Sequence, residues 1–393
     1  MIHKLLIILS ICTLWLTPLR VAEAQNGDGA QSMSSTKPVH LSPPPDTFLL
    51  TVPLSGPLES MGRSAVNGAE MALATWGGGS KLKIVDEAGP DQSEPRLNKV
   101  AVALGYFTET RFAADAPSYL YRKTPVLLPF LTTGEAAGRG PSSFFRLMPT
   151  FEEQGRFMAL EILTMRRRYR RIMVVTGEGE FQQNFTAALT GALAEPPQPP
   201  PPAKGKKAAP AIKPLDAKST VLTVSLAQLL APETAPELAE AKPEVIILAL
   251  SVSESLNAAP VLAERWAKAP VWGGISMGFR EAAAAFAALD IKLQVSLPVA
   301  NPLNAKNQAA QDFIQKYTNL HHAHPTWIAA LAYDGLMLAI KAANSGSTSA
   351  EALAFLSGQS HHGLGTYTIT PGGGGTPPLA FMPVTLDSLG FLP

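Results

Sequence analysis

Residues 48–86 read FLLTVPLSGPLESMGRSAVNGAEMALATWGGGSKLKIVD, and their pattern decides the fold. Phe48 to Leu54 is an apolar run of strand length. Gly62 to Trp76 places Ala65, Ala69, Leu73 and Trp76 at helical spacing, and Lys81 to Asp86 returns to strand. A helix between two strands implies a parallel pair, because the chain must cross back over the sheet before the second strand begins. The loop from Ser55 to Gly62 leaves the carboxyl end of the first strand, where the crevices of α/β sheets hold their ligands.

The same alternation continues along the chain. Strands are expected at Val100 to Tyr106, Val126 to Phe130, Ile172 to Thr176, Val245 to Leu250, Val271 to Ile275 and Leu293 to Val299. Helices between them include Phe151 to Met165, Glu281 to Leu289, Ala305 to Tyr317 and Trp327 to Ala343. This order predicts an α/β protein with parallel sheets covered by helices on both faces. The chain of 393 residues exceeds what one hydrophobic core supports, so two domains are expected. One stretch breaks the pattern: Pro196 to Pro214, rich in proline and lysine, has no apolar periodicity. It reads as an extended surface insertion that buries no core and can be deleted without loss of stability.

At the N-terminus Lys4 precedes the apolar run Leu5 to Leu16, and a polar stretch ends in Ala22-Glu23-Ala24. These are the three parts of a secretory signal, with cleavage expected before Gln25. The run of about twelve apolar residues is shorter than the roughly 20 a helix needs to span a bilayer, so no direct membrane insertion is expected. Cys12, the only cysteine, follows Ile11 inside that run, and the mature chain is expected to carry no thiol, disulfide or cysteine metal ligand. Residues 25–45 read as a disordered leader. Removing residues 1–24 takes away Lys4, Arg20 and Glu23, leaving 30 basic and 30 acidic residues from 32 and 31. That balance offers no electrostatic case for nucleic acid as a partner. A phosphate-binding Gly-x-x-x-x-Gly-Lys-Ser/Thr motif is absent and Gly177-x-Gly179 lacks its third glycine, so no nucleotide and no other cofactor is expected.

Several pieces together resemble one family, the branched-chain amino acid and amide binding proteins of ABC transporters. They are Pro53-Leu54-Ser55-Gly56-Pro57 with Gly62 and Asn67-Gly68-Ala69, Thr124 to Pro129, Phe145-Arg146-Leu147-Met148-Pro149, Lys242 to Ile247, Ala332 to Leu336, and Gly363-Leu364-Gly365. The resemblance spans roughly residues 46–393. It implies the type I periplasmic-binding fold: two Rossmann-like lobes joined by a three-strand hinge, with crossings near 149, 299 and 376. The N-terminal lobe would then comprise 46–149 and 300–376, and the C-terminal lobe 150–299 and 377–393. It further implies a periplasmic protein that captures a small polar ligand, such as an amino acid, an amide or a related molecule, in the interlobe cleft. Its partner would be the membrane permease of an ABC transporter, and it would catalyse nothing.

Carried over position by position, the resemblance implies a cleft lined by Ser55, Met61, Glu109, Thr110, Phe130 and Thr132 from one lobe and Phe181, Ser251 and Ser276 from the other. The ligand clamp departs from the family pattern. Glu109, Thr110 and Arg111 stand where small hydroxyl residues usually bind the ligand carboxylate, and Ile275 or Ser276 stands where an acid usually holds the ammonium. An ammonium buried without its carboxylate loses several kcal/mol, more than a good hydrogen bond returns, so a simple amino acid requires Glu109, Glu178 or Glu254 to replace the missing acid. Glu109 and Arg111 could instead pair with each other on the surface.

Two other functions stay open on the residues. Gly274-Ile275-Ser276-Met277-Gly278 fits a nucleophile elbow between strand and helix, and Asp334 and His362 follow in the order of an α/β-hydrolase triad. The eroded clamp and the proline-rich insertion would also suit an envelope sensor or regulator built on the same fold. His321, His322 and His324, with His361-His362, match no closed zinc pattern and read as exposed loop residues. The basic run Arg166 to Arg171 reads as a solvated helix end.

Overall fold

The computed structural model describes residues 47–89, 100–131, 143–165, 169–198, 210–232, 238, 240–298, 308–346, 348–357, 360–368 and 379–383. The expected signal segment, the leader and Thr132 lie outside them.

The strands are β1 (Thr47–Val52), β2 (Lys81–Asp86), β3 (Val100–Gly105), β4 (Val126–Leu128), β5 (Phe144–Arg146), β6 (Arg171–Thr176), β7 (Thr220–Ser225), β8 (Val245–Ala249), β9 (Val271–Gly273), β10 (Leu293–Pro298), β11 (Ser360–His362), β12 (Thr366–Thr368) and β13 (Leu379–Pro383). One sheet runs β2-β1-β3-β4-β5 and is parallel throughout. The other runs β13-β10-β9-β8-β6-β7, parallel except for β13, which pairs antiparallel with β10. Central strands β3 and β8 are buried at every residue, while four of the six residues of the edge strand β7 are exposed. That contrast explains why β7 carries no apolar run to betray it in the sequence, and the short β5 carries too few residues to do so.

The helices are α1 (Glu59–Trp76), α2 (Glu109–Arg122), α3 (Phe151–Thr164), α4 (Glu180–Ala194), α5 (Leu226–Leu230), α6 (Val252–Trp266), α7 (Arg280–Ala288), α8 (Gln308–His321), α9 (Trp327–Ala343) and α10 (Ser349–Leu356). In the first lobe α1 buries mostly small residues, Gly62, Ala65, Gly68, Ala69 and Ala72 among them, which lets α9 approach very closely. A Cβ on Gly68 would lie 1.9 Å from the Ala329 carbonyl oxygen. Helix α9 is buried almost all round, wedged between α1, the sheet and α10, and Phe313 and Tyr317 of α8 join the same core. In the second lobe α3 and α4 pack against each other at Gly155, and α3 and α6 both begin with a reciprocal capping box, Thr150 with Glu153 and Ser251 with Glu254.

The chain builds the first sheet through β5 and the second group from α3 to β10. It then adds α8, α9, α10, β11 and β12 around the first core and supplies β13 to the second sheet. This is the two-lobed α/β architecture of the type I periplasmic-binding fold. Among the described residues no helix is long and apolar enough to cross a membrane.

The flanks of the proline-rich segment correct one expectation. Ile212 and Leu215 pack on the core beneath α3 and α4, and the Leu215 amide donates to the Leu193 carbonyl. The Gln198 side-chain amide donates to the carbonyls of Pro196 and Ile212, closing the base of the insertion. His321 also differs from expectation: it ends α8 with its ring 4.4 Å from that of Tyr317, instead of lying in a loop. Arg171, at the end of the basic run, opens β6, pairs with Glu244 at 3.1 Å and donates to the Lys242 carbonyl.

Candidate functional site

At the carboxyl edge of the first sheet, β1 and β3 pinch together. Gly105 takes φ 129°, where a Cβ would lie 2.0 Å from the Thr51 carbonyl oxygen, and the next residue, Tyr106, also has a positive φ of 67° while its amide donates to that oxygen. A bulky residue in the left-handed region costs about 1 to 3 kcal/mol, so its surroundings must hold it there. They do so through the buried Tyr106 ring. Its hydroxyl donates to Asp115 Oδ2 at 2.8 Å and lies 2.6 Å from that of Tyr119, and Arg111 Nε donates to the same Asp115 oxygen at 3.0 Å. Burial, reinforced by Tyr119 and Asp115, pushes the Tyr106 phenol far up, so it stays protonated and donating.

Beside the turn at Gly105 and Tyr106, two successive acids at the end of β2 fasten both neighbouring loops. Asp86 accepts from the Leu54 amide at 2.7 Å and the Ser55 hydroxyl at 2.8 Å. Burial pushes its carboxyl up, but the hydrogen bonds from Leu54, Ser55 and Ala88 outweigh it and hold the group below its ordinary value. Glu87, buried, accepts from the amides of Phe107 and Thr108 and from the Thr108 hydroxyl. There burial outweighs those bonds and the attraction of Arg111, and the carboxyl is raised.

The sequence-predicted residues fall into two groups. In the first lobe Ser55 is tied to Asp86; Glu109 and Thr110 form the first turn of α2; Phe130, just past β4, stacks on Phe107 with centroids 4.4 Å apart and planes at 23°. Met61 lies in α1 against the core, half-buried. In the second lobe Phe181 opens α4 with its ring 4.9 Å from Phe151, Ser251 caps α6, and the Ser276 hydroxyl donates to the Leu250 carbonyl. Gln182, next to Phe181, donates to Glu254, which also accepts from the amide and hydroxyl of Ser251, so these residues form one hydrogen-bonded cluster.

Between the lobes, the indole N–H of Trp327 donates to the Gly278 carbonyl at 3.0 Å, and Phe279 lies against the same indole. Ile275 belongs to the first lobe's core, and its amide donates to the buried Gln154 side chain, whose own amide donates to the Pro149 carbonyl. The loop after β9 is therefore anchored on both sides.

Several expectations change. Arg111 does not pair with Glu109; it is buried and pairs with Asp115. Glu254, offered as a replacement acid, is the capping partner of α6. Burial raises its carboxyl, yet the bonds from Ser251 and Gln182 outweigh that and leave it lowered. Glu178 is exposed. In the elbow reading, Ser276 sits in a 3-10 turn, Ile275–Met277, and donates to a backbone carbonyl, while Asp334 accepts from the amides of Leu364 at 2.7 Å and Gly365 at 2.9 Å. No group of three or more potential metal ligands occurs among the described residues. Sequence reasoning missed Asp86, Glu87, Phe107, Gln154 and Trp327; the only available signal was the pair of acids directly after an apolar strand.

No protein-family model matches the sequence, and no curated protein does. Solved structures do match the fold. The leucine-binding protein LivK of Thermotoga maritima superposes with a TM-score of 0.65 at 17% identity, covering 86% of this chain and 95% of that one. The branched-chain amino acid transporter substrate-binding protein LivJ of Streptococcus pneumoniae, in complex with isoleucine, gives 0.67 at 14%, covering 87% and 97%. A solute-binding protein of an ABC transporter from Rhodopseudomonas palustris, in complex with 3,4-dihydroxybenzoic acid, gives 0.63 at 16%, covering 86% and 92%.

Proposed function

We propose that the chain is an exported solute-binding protein, cleaved before Gln25, that closes its two lobes around a small polar organic molecule and delivers it to the membrane permease of an ABC transporter. The observation that carries this reading is the fold, matched along 86–88% of the chain to substrate-binding proteins of such transporters. The cleft would be lined by Ser55, Met61, Glu109, Thr110, Phe130 and Thr132 from the first lobe and Phe181, Ser251 and Ser276 from the second, each at or just beyond the carboxyl end of a strand. The hinge would run through the crossings near 149, 299 and 376. Ligand bridging both lobes stabilises the closed state by its differential affinity, which lets a permease distinguish loaded from empty protein. Catalysis is no part of this reading, in which the Ser276 hydroxyl donates to the Leu250 carbonyl and Asp334 accepts from the amides of Leu364 and Gly365.

The test is a thermal-shift screen of amino acids, amides, carboxylates and small aromatics, followed by small-angle scattering with each stabilising compound. A ligand binding only the folded state at 100 times its Kd adds about 2.7 kcal/mol. Stabilisation accompanied by a smaller radius of gyration is expected. An unchanged radius with every compound would point to a sensor or regulator, and ester hydrolysis abolished by Ser276→Ala would point to an enzyme.

A further inference from the structure

The loop after β9 is held by both lobes at once. Its 3-10 turn, Ile275–Met277, sends its apolar side chains to different sides: Ile275, 3% exposed, belongs to the first lobe's core, while Met277, fully buried, belongs to the second's. Phe279 packs against the first core as well, beside the Trp327 indole whose N–H donates to the Gly278 carbonyl. Parting the lobes here would carry Ile275 into water and strip that bond from the buried Gly278.

The place of this contact decides what it does. Gln154, 1% exposed near the start of α3, accepts from the Ile275 amide at 3.1 Å and donates to the Pro149 carbonyl at 3.3 Å. One side chain therefore links the loop to the point where the chain first passes from the first sheet to the second. On the loop's other flank β9 pairs with β10, the strand from which the chain returns to the first lobe's core. In a rotation, displacement grows with distance from the axis, so a contact lying between two crossings moves least. Strands β8 and then β6 stand farther along the sheet, and at about 5 Å per strand β6 lies about 10 Å beyond β9.

We infer that residues 275–279 are a fixed pivot. They stay docked on the first lobe when the lobes move, which confines the motion to the side of the second lobe carrying β8 and β6, with Ser251 capping α6 and Phe181 in the first turn of α4. The pivot adds a shared core to the covalent crossings and limits how wide the cleft opens. This inference needs only the two-lobed fold; it names no ligand, and it stands or falls independently of the solute-binding reading.

The test is hydrogen exchange followed by NMR on the ligand-free chain, with small-angle scattering alongside. Exchange is read at the amide of residue 275 and at the Trp327 indole N–H, with the amides of Leu104 in β3 and Leu248 in β8 as references for global unfolding. In wild type both pivot protons should be protected to within about tenfold of the references. Weaker protection than that would mean that the lobes part at this contact, and overturns the inference. Ile275→Ala should cut the protection of both pivot protons by at least about tenfold, leave Leu104 and Leu248 unchanged, and enlarge the radius of gyration. Faster exchange with an unchanged radius would reduce the contact to local loop packing, and unchanged exchange would deny it any role; either result overturns the pivot. Should Ile275→Ala also expose the reference amides, Ile275→Val, which removes a single methyl group, takes its place: the same two changes at smaller amplitude support the pivot, and no change in either overturns it.

Discussion

Replacing Asp334 by alanine should destabilise the protein severely. Asp334 sits in the middle of α9, 4% exposed, and its two carboxylate oxygens accept from the amides of Leu364 and Gly365. Those amides belong to a tight turn, in which the Gly363 amide donates to the Gly365 carbonyl at 2.7 Å and Leu364 is buried in the first lobe's core. The carboxylate presses so close to the turn that a Cβ on Gly363 would come within 2.3 Å of it. Alanine leaves two buried N–H groups unpaired, each costing about 1 to 3 kcal/mol, for a total of about 2 to 6 kcal/mol. Asparagine keeps one acceptor and sets its amide group against the other N–H, so about half that loss is expected. Urea unfolding at pH 7, with the slope checked for constancy, ranks wild type above Asn above Ala. A catalytic role predicts the opposite pattern, an intact fold with ester hydrolysis abolished. Asp334→Ala within about 0.5 kcal/mol of wild type, the usual scatter of a surface substitution, would refute the assignment of this carboxylate to the turn.

Further expectations concern packing, the lobe contact and pH. Gly68→Ala drives a methyl group to 1.9 Å from a backbone oxygen of α9, so the helices must separate; we expect a net loss of at least about 2 kcal/mol despite the roughly 1 kcal/mol that alanine gains in helix propensity, read from thermal unfolding followed by circular dichroism. Trp327→Phe keeps the ring packing but removes the donor to Gly278, about 1 kcal/mol, and scattering from the ligand-free protein should show a larger radius of gyration; an unchanged radius means that this contact does not hold the lobes. The lowered carboxyl of Asp86 contributes stability that is fully present above its ordinary 3.8 and is lost as pH falls through the lower native value, so the gap between wild type and Asp86→Asn should narrow from pH 7 to pH 3. A gap that widens toward acid pH would mean that the group is not held ionised by Leu54 and Ser55.

The parts of the fold that were legible were those where burial and period coincide. Val100 to Gly105 is buried at every position and reads as an unbroken apolar run, and α1 shows its face through Ala65 and Ala69. Strand β7 was not legible because its side chains are largely exposed and follow proline-rich sequence. The insertion's contribution to the core was missed because Ile212 and Leu215 are isolated apolar residues, too few to make a period. At the candidate site, the loop positions could be read from the resemblance but the bonds could not. Residues 109 and 111 are two apart on α2 and point to different sides, whereas residue 115 is one turn on from 111 and shares its face. The same spacing argument would have favoured Asp115 over Glu109 had the start of α2 been recognised. Asp86 and Glu87 look like an exposed strand end in the sequence, because the Phe107 and Thr108 amides that bond Glu87 lie 20 and 21 residues away and the Leu54 amide that bonds Asp86 lies 32 away.

The packing of α9 against α1 joins residues 327–343 to residues 59–76, and β13 closes on β10 only after both lobes have been visited. Contacts so distant in sequence carry their loop-closure cost before any burial repays it, which slows folding even where the final stability is unaffected. As the chain grows, β1 to β5 therefore exist for a long time without the helix that covers one face of their sheet, and the second lobe waits for nearly the last described residues. An N-terminal fragment ending before Trp327 would keep Leu50, Val102 and Leu104 uncovered and should remain a loose, protease-sensitive collapse. Under the proposal that the chain is exported, such late closure would keep it threadable until the whole of it has been delivered.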